Sequence, residues 1–150
     1  MNADLYQRDF HAWTREQARL LQAGQFQDVD LTHLVEELES MGASERRQLQ
    51  QRLKVLLAHL LKWQYQPEYR SRSWRATIKE QRLSLLDLLD DNPSLKTILE
   101  VRIEKAYPMA VLLAVKETDL DEATFPTSCP YSLEQLLQLE EYPAARNASE

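Results

Sequence analysis

The chain has 150 residues, 43% apolar and 28% charged, with a formal net charge of −6, the profile of a soluble globular chain and not of a disordered or fibrous one. At this length folding hides roughly 70% of the surface that the unfolded chain exposes, so a core needs neither disulfides nor a metal, and the single cysteine, Cys129, excludes a disulfide framework. The longest apolar runs, residues 55–61, broken by His59, and 109–115, span seven residues each, far short of the ~20 that a bilayer span requires. Residues 1–20 carry charges throughout and no apolar export core, so a cytoplasmic location without membrane association is expected.

Leucine occurs 26 times while valine and isoleucine together occur nine times, and there are only two glycines. Strands favour β-branched residues and turns favour glycine, whereas leucine, glutamate, glutamine, alanine and arginine keep their rotamer freedom in a helix. The expected fold is all-α: a single domain over residues 1–142, mostly an up-and-down bundle of five or six helices, followed by a flexible tail over residues 143–150.

In chain order, Tyr6, Phe10, Trp13, Gln17, Leu20 and Leu21 recur at steps of three or four and predict one helix ending at Gly24. Asp30 can cap a second helix bearing Leu31, Leu34, Val35, Leu38 and Met41, stopped by Gly42. Ser44 then opens a third, with Leu49, Leu53, Leu56, Leu60 and Trp63 as its seam and Pro67 as its end. A fourth begins near Ser73 and carries Trp74, Ile78, Leu85, Leu88 and Leu89. Asn92 and Pro93 launch a fifth, which Pro108 should bend without dividing. Ser132 and Gln135 form a capping box, with Tyr131 and Leu136 as its hydrophobic staple, for a short sixth helix. The core is predicted to contain Leu53, Leu56, Leu60, Trp63, Ile78, Leu85, Trp13 and Phe10. No internal repeat, low-complexity tract or interdomain linker is visible.

Two glycines cannot build a phosphate-cradling loop, and Cys129 lacks zinc-type companions or a local base that would lower its pKa. No cofactor is implied. For a metal, the weak candidates are His33 with Glu36 and Glu37, three and four residues apart on one helix face, but no matching set stands on another helix, and a solvated acidic face is the favoured reading, so no metal is expected. His59, beside the leucine seam, reads as a half-buried neutral imidazole or, alternatively, as a catalytic group. Gln17 and Gln81 lie on apolar stripes, where a buried amide can fix register or hold a ligand.

Charge is distributed unevenly. Residues 45–82 hold ten basic and three acidic side chains, which leaves −13 on the remainder. Such a segment is either a binding face or a set of cations paired internally with acidic neighbours such as Glu36, Glu37 and Glu39. Within it, Arg70, Arg72, Ser73, Trp74 and Arg75, with Arg82 further on, form a candidate anion- or partner-binding site at the start of the fourth helix, where free backbone N–H groups and guanidinium groups converge.

The stretch HLLKWQYQPEYRSRSWRATIKEQR at residues 59–82 is joined by LYQRDFHAW at 5–13, DLTHLVEELESMG at 30–42, SERRQL at 44–49 and NPSL at 92–95. In these blocks the chain resembles the bacterial, largely cyanobacterial family catalogued as domain of unknown function 29, over about residues 5–139. The resemblance implies a compact all-α bundle and no established activity, cofactor or catalytic residues. Pro108 departs from it, since an uninterrupted fifth helix is expected in relatives. The functional expectation is a non-enzymatic protein-interaction or regulatory module, with a protein partner or a second copy as ligand. Two alternatives are a nucleic-acid-associated or toxin–antitoxin-type regulator using the basic residues 70–82, which a net charge of −6 opposes, and a metal-dependent enzyme using His33 and Glu37 or His59.

Overall fold

A chain rich in leucine and poor in glycine has little alternative to helix. In the computed structural model, which describes residues 2–146 and side chains from residue 4, 79% of the described residues are helical and none forms a strand. The α-helices are α1 (Asn2–Arg8), α2 (Phe10–Gln22), α3 (Leu31–Tyr65), α4 (Arg72–Asp91), α5 (Leu99–Thr118) and α6 (Leu133–Leu137), with 3₁₀ turns at Phe26–Asp28, Pro67–Tyr69, Pro93–Ile98 and Glu122–Thr124. The chain groups into two compact units, one ending at Glu45 and the other starting at Arg46, so the boundary falls inside α3.

In the first unit, the expected single opening helix is two. Asp9 leaves helical geometry at φ −150°, and its carboxylate accepts the Ala12 N–H at 3.0 Å, which starts α2 afresh. Capping by the aspartate stabilises this new start by about 1 kcal/mol. The break also turns Phe10, expected in the core, out to 48% exposure, while Trp13, Gln17 and Leu20 are buried. Gly24 ends α2 as expected: it takes the left-handed φ of +73°, and the N–H groups of Gly24 and Gln25 donate back to the carbonyls of Leu21 and Leu20.

Gly42 does not punctuate. Leu31–Tyr65 is one helix of 35 residues running through Gly42 and Ser44, because an interior glycine costs only about 1 kcal/mol, less than is lost by ending and restarting a helix.

In the second unit the seam Leu49, Leu53, Leu56 and Leu60 is fully buried, and Ile78 and Leu85 from α4 join it. From α5, Ala106, Ala110 and Ala114 recur every fourth residue with no exposure, a run of small side chains that lets neighbouring backbone come close. Pro108 lies within α5, on its exposed side, and the helix remains single. Asn92 heads the turn Pro93–Ile98 without a side-chain cap, and α5 proper begins only at Leu99. The capping box of α6 forms as expected, with Ser132 and Gln135 bonded reciprocally. Tyr131 and Leu136 both pack on the core. Of the tail, residues 147–150 lie outside the described residues. The Arg146 N–H donates to the Gln64 carbonyl at 2.7 Å.

Candidate functional site

The basic segment is organised by the turn that joins α3 to α4. Pro67 ends the α3 ladder, the chain turns through Pro67–Tyr69, and Ser71 starts α4 by accepting the Trp74 N–H at 3.1 Å. The cap is therefore Ser71; Ser73, the expected start, lies exposed in the first turn.

Four cations around this turn rest on aromatic faces. The Arg70 guanidinium sits 4.7 Å from the Trp63 ring centre, while its Nε–H donates to the Trp63 carbonyl at 2.8 Å. Arg75 lies 5.7 Å from the same ring and 5.0 Å from that of Tyr142, and the two rings are 4.9 Å apart. Arg82 takes a further position, 5.4 Å from Tyr142. Lys62 is placed 4.7 Å from the Trp74 ring. Each such contact contributes about 0.5–1 kcal/mol at exposed sites and more where water is excluded.

The cations differ in what else holds them. Lys62 is only 4% exposed and is ion-paired with Glu117 of α5. Arg82 has no exposure at all, and its guanidinium donates to the carbonyls of Gln135 at 2.8 Å, Leu136 at 2.9 Å and, more weakly, Leu139 at 3.4 Å. Burial lowers its pKa, against the pull of Tyr142, Glu141 and Glu140. Arg82 is therefore committed to the end of α6 and stands apart from the surface cations. Arg70, Arg72 and Arg75 have no carboxylate within 4 Å among the described residues, and Lys62–Glu117 is the one ion pair that the residues of 45–82 form there. Arg72 and Arg75 are exposed and Arg70 is half-buried, with its Nη2 out of water and without a hydrogen-bond partner among the described residues.

The metal candidates are engaged elsewhere. His33 Nδ1 lies 2.7 Å from Asp30 Oδ2, which also accepts the Trp13 indole N–H at 3.0 Å, and the Gln17 amide oxygen accepts the Asp30 N–H at 2.7 Å. Burial raises the Asp30 pKa, but the bonds from His33 and Trp13 outweigh it and leave the group below its ordinary value. Tyr6 stacks on the His33 ring at 3.9 Å and donates to Glu37, and that bond to a carboxylate pushes its pKa up to about 12. Glu36 is exposed. Among the described residues no three His, Cys, Asp or Glu side chains are grouped as a metal site.

His59 Nδ1 lies 2.9 Å from the Val55 carbonyl of its own helix, and burial lowers its pKa. Burial raises that of the Cys129 thiol, which donates to the Tyr131 carbonyl at 3.7 Å. Neither arrangement supplies an activated nucleophile. Gln81 accepts from Arg52 at 3.3 Å. An open cleft of about 550 Å³ beside Tyr107, Pro108 and Phe125 lies on other elements of the same unit.

Sequence reading missed the Tyr142 and Lys62 members of the ring-and-cation set. Tyr142 comes from the far end of the chain and no local pattern announces it; Lys62 follows Leu61 and precedes Trp63 inside an apolar run, which is a sign of burial.

The fold and this face define an all-α protein with a cationic, aromatic-backed surface where α4 begins. The chain belongs to the family described as domain of unknown function DUF29, which matches residues 5–142. No curated protein and no solved structure matches it. Among the described residues no helix is long and apolar enough to cross a membrane.

Proposed function

We propose that this chain is a non-enzymatic binding module that takes an anionic group of a protein partner on Arg70, Arg72 and Arg75, with Ser73 and Trp74 at the edge of the contact. The observation that carries this reading is the absence of any carboxylate within 4 Å of those three guanidinium groups among the described residues. Guanidinium groups that lack a carboxylate partner and are already oriented on rings lose little side-chain freedom when they pair with a carboxylate or phosphate. Trp63 and Tyr142 supply that orientation for Arg70 and Arg75.

The test is a titration of the full chain with a glutamate-rich peptide, followed by tryptophan fluorescence because Trp63 lies under the site. Binding that weakens with added salt, and that is abolished by Arg72→Glu with Arg75→Glu at unchanged helicity, supports the reading. Binding that survives the double reversal refutes it, and preference for a nucleic-acid oligomer over the peptide would move the assignment to the nucleic-acid class.

A further inference from the structure

The N-terminal half of α3 presents a second surface. Leu31, Val35, Leu38 and Met41 follow one another at steps of four, three and three residues and so lie on one face of the helix. They are exposed by 65%, 44%, 62% and 64%. In the first unit α1 and α2 pack on the adjoining side of this helix, where Tyr6 stacks on His33 and bonds Glu37 and Trp13 bonds Asp30, and they leave the row exposed. Four large apolar side chains in one row are the pattern by which a helix receives another helix.

Charge selects the occupant. Between residues 20 and 45 there are six carboxylates and no lysine or arginine, and the first 45 residues, with nine acidic and three basic side chains, account for all of the chain's net charge. Glu39 and then Glu36 border the row beyond Val35; both are exposed, and neither has an ion pair among the described residues. A second copy laid on the same face would bring two such rows of carboxylates together, which is unfavourable. We infer that the row Leu31, Val35, Leu38 and Met41 docks a cationic amphipathic helix of a partner protein, its apolar side against the four side chains and its lysines or arginines beside Glu36 and Glu39. The row rises about 15 Å along the axis, so roughly three turns of partner helix fill it. This inference is independent of the arginine face, which takes the opposite charge.

The test uses two synthetic helical peptides with the same leucine spacing, one flanked by lysines and one by glutamates, titrated into the full chain by calorimetry. The lysine peptide should bind at least about tenfold more tightly than the glutamate peptide, with the difference shrinking as salt rises. Leu38→Asp should weaken binding by a similar factor. Because Leu38 and Glu36 and Glu39 are exposed, these variants should fold, and the double reversal Glu36→Lys with Glu39→Lys should exchange the preference between the peptides, which a merely sticky surface cannot do. Equal binding of the two peptides, an unchanged preference in the double reversal, or a concentration-dependent dimer of the chain alone that Leu38→Asp dissolves would each overturn the inference.

Discussion

Replacing Arg82 by methionine keeps most of the side-chain volume and removes the guanidinium that closes α6. Two of the last four carbonyls of that five-residue helix, those of Gln135 and Leu136, lose donors now at 2.8 and 2.9 Å. Hydrogen bonds to a charged donor contribute about 1.5–3 kcal/mol each, so two of them set a gross loss of about 3–6 kcal/mol. The contact at 3.4 Å to Leu139 adds little. Opposing this, methionine removes a cation that is wholly buried with no carboxylate within 4 Å among the described residues, and the relief of desolvation returns part of the loss. The net expectation is a destabilisation of about 2–4 kcal/mol in urea unfolding followed by circular dichroism. Amide exchange should quicken first over residues 133–142, since these depend on Arg82 to be held. Arg82→Lys, which keeps the charge but cannot fork to two carbonyls, should recover only part of the loss. A methionine variant within about 0.5 kcal/mol of the parent would refute the reasoning, because it would mean that the carbonyls find water or other donors at no cost.

The two glycines should respond in opposite directions. Gly24→Ala meets no atom within 4 Å but must adopt a φ of +73°, so it should destabilise by about 1–2 kcal/mol, whereas Gly42→Ala, inside α3, should stabilise by about 0.5–1 kcal/mol; equal effects in thermal melts would contradict the assignment of one to a turn and the other to a helix interior. His59 gives a pH dependence. Burial holds its pKa below the unfolded value, so the unfolded chain takes up the proton first, and the stability that the neutral ring allows is present above pH ~6.5 and lost as pH falls toward the folded value. His59→Gln should flatten unfolding free energy against pH over that interval.

What was legible in the sequence was local. Ser132 with Gln135, Gly24 and Pro67 each act on neighbours within a few residues, and their structural roles followed from residue type and spacing. Asp9 was also a local signal, hidden because Tyr6, Phe10 and Trp13 keep helical spacing across the break that it makes. Gly42 misled because glycine is permissive and does not by itself terminate a helix. Arg82 counted as a surface charge, yet it stands four residues after Ile78 and three before Leu85, both buried, and that position on the apolar stripe marks it as interior. The contact of Arg75 with Tyr142, and of Tyr142 with Trp63, required the chain to return to α3 across more than sixty residues, which no local periodicity encodes.

The claim that Arg70, Arg72 and Arg75 receive an anionic partner is tested most directly by the arginine Nε–H resonances of the folded chain, assigned by single Arg→Lys variants and followed during titration with the glutamate-rich peptide. The resonances of Arg70, Arg72 and Arg75 should shift together and saturate at one peptide per chain, while that of Arg82, bonded to the Leu136 carbonyl, stays in place. Peptide binding that moves other resonances and leaves those three unchanged would contradict the account.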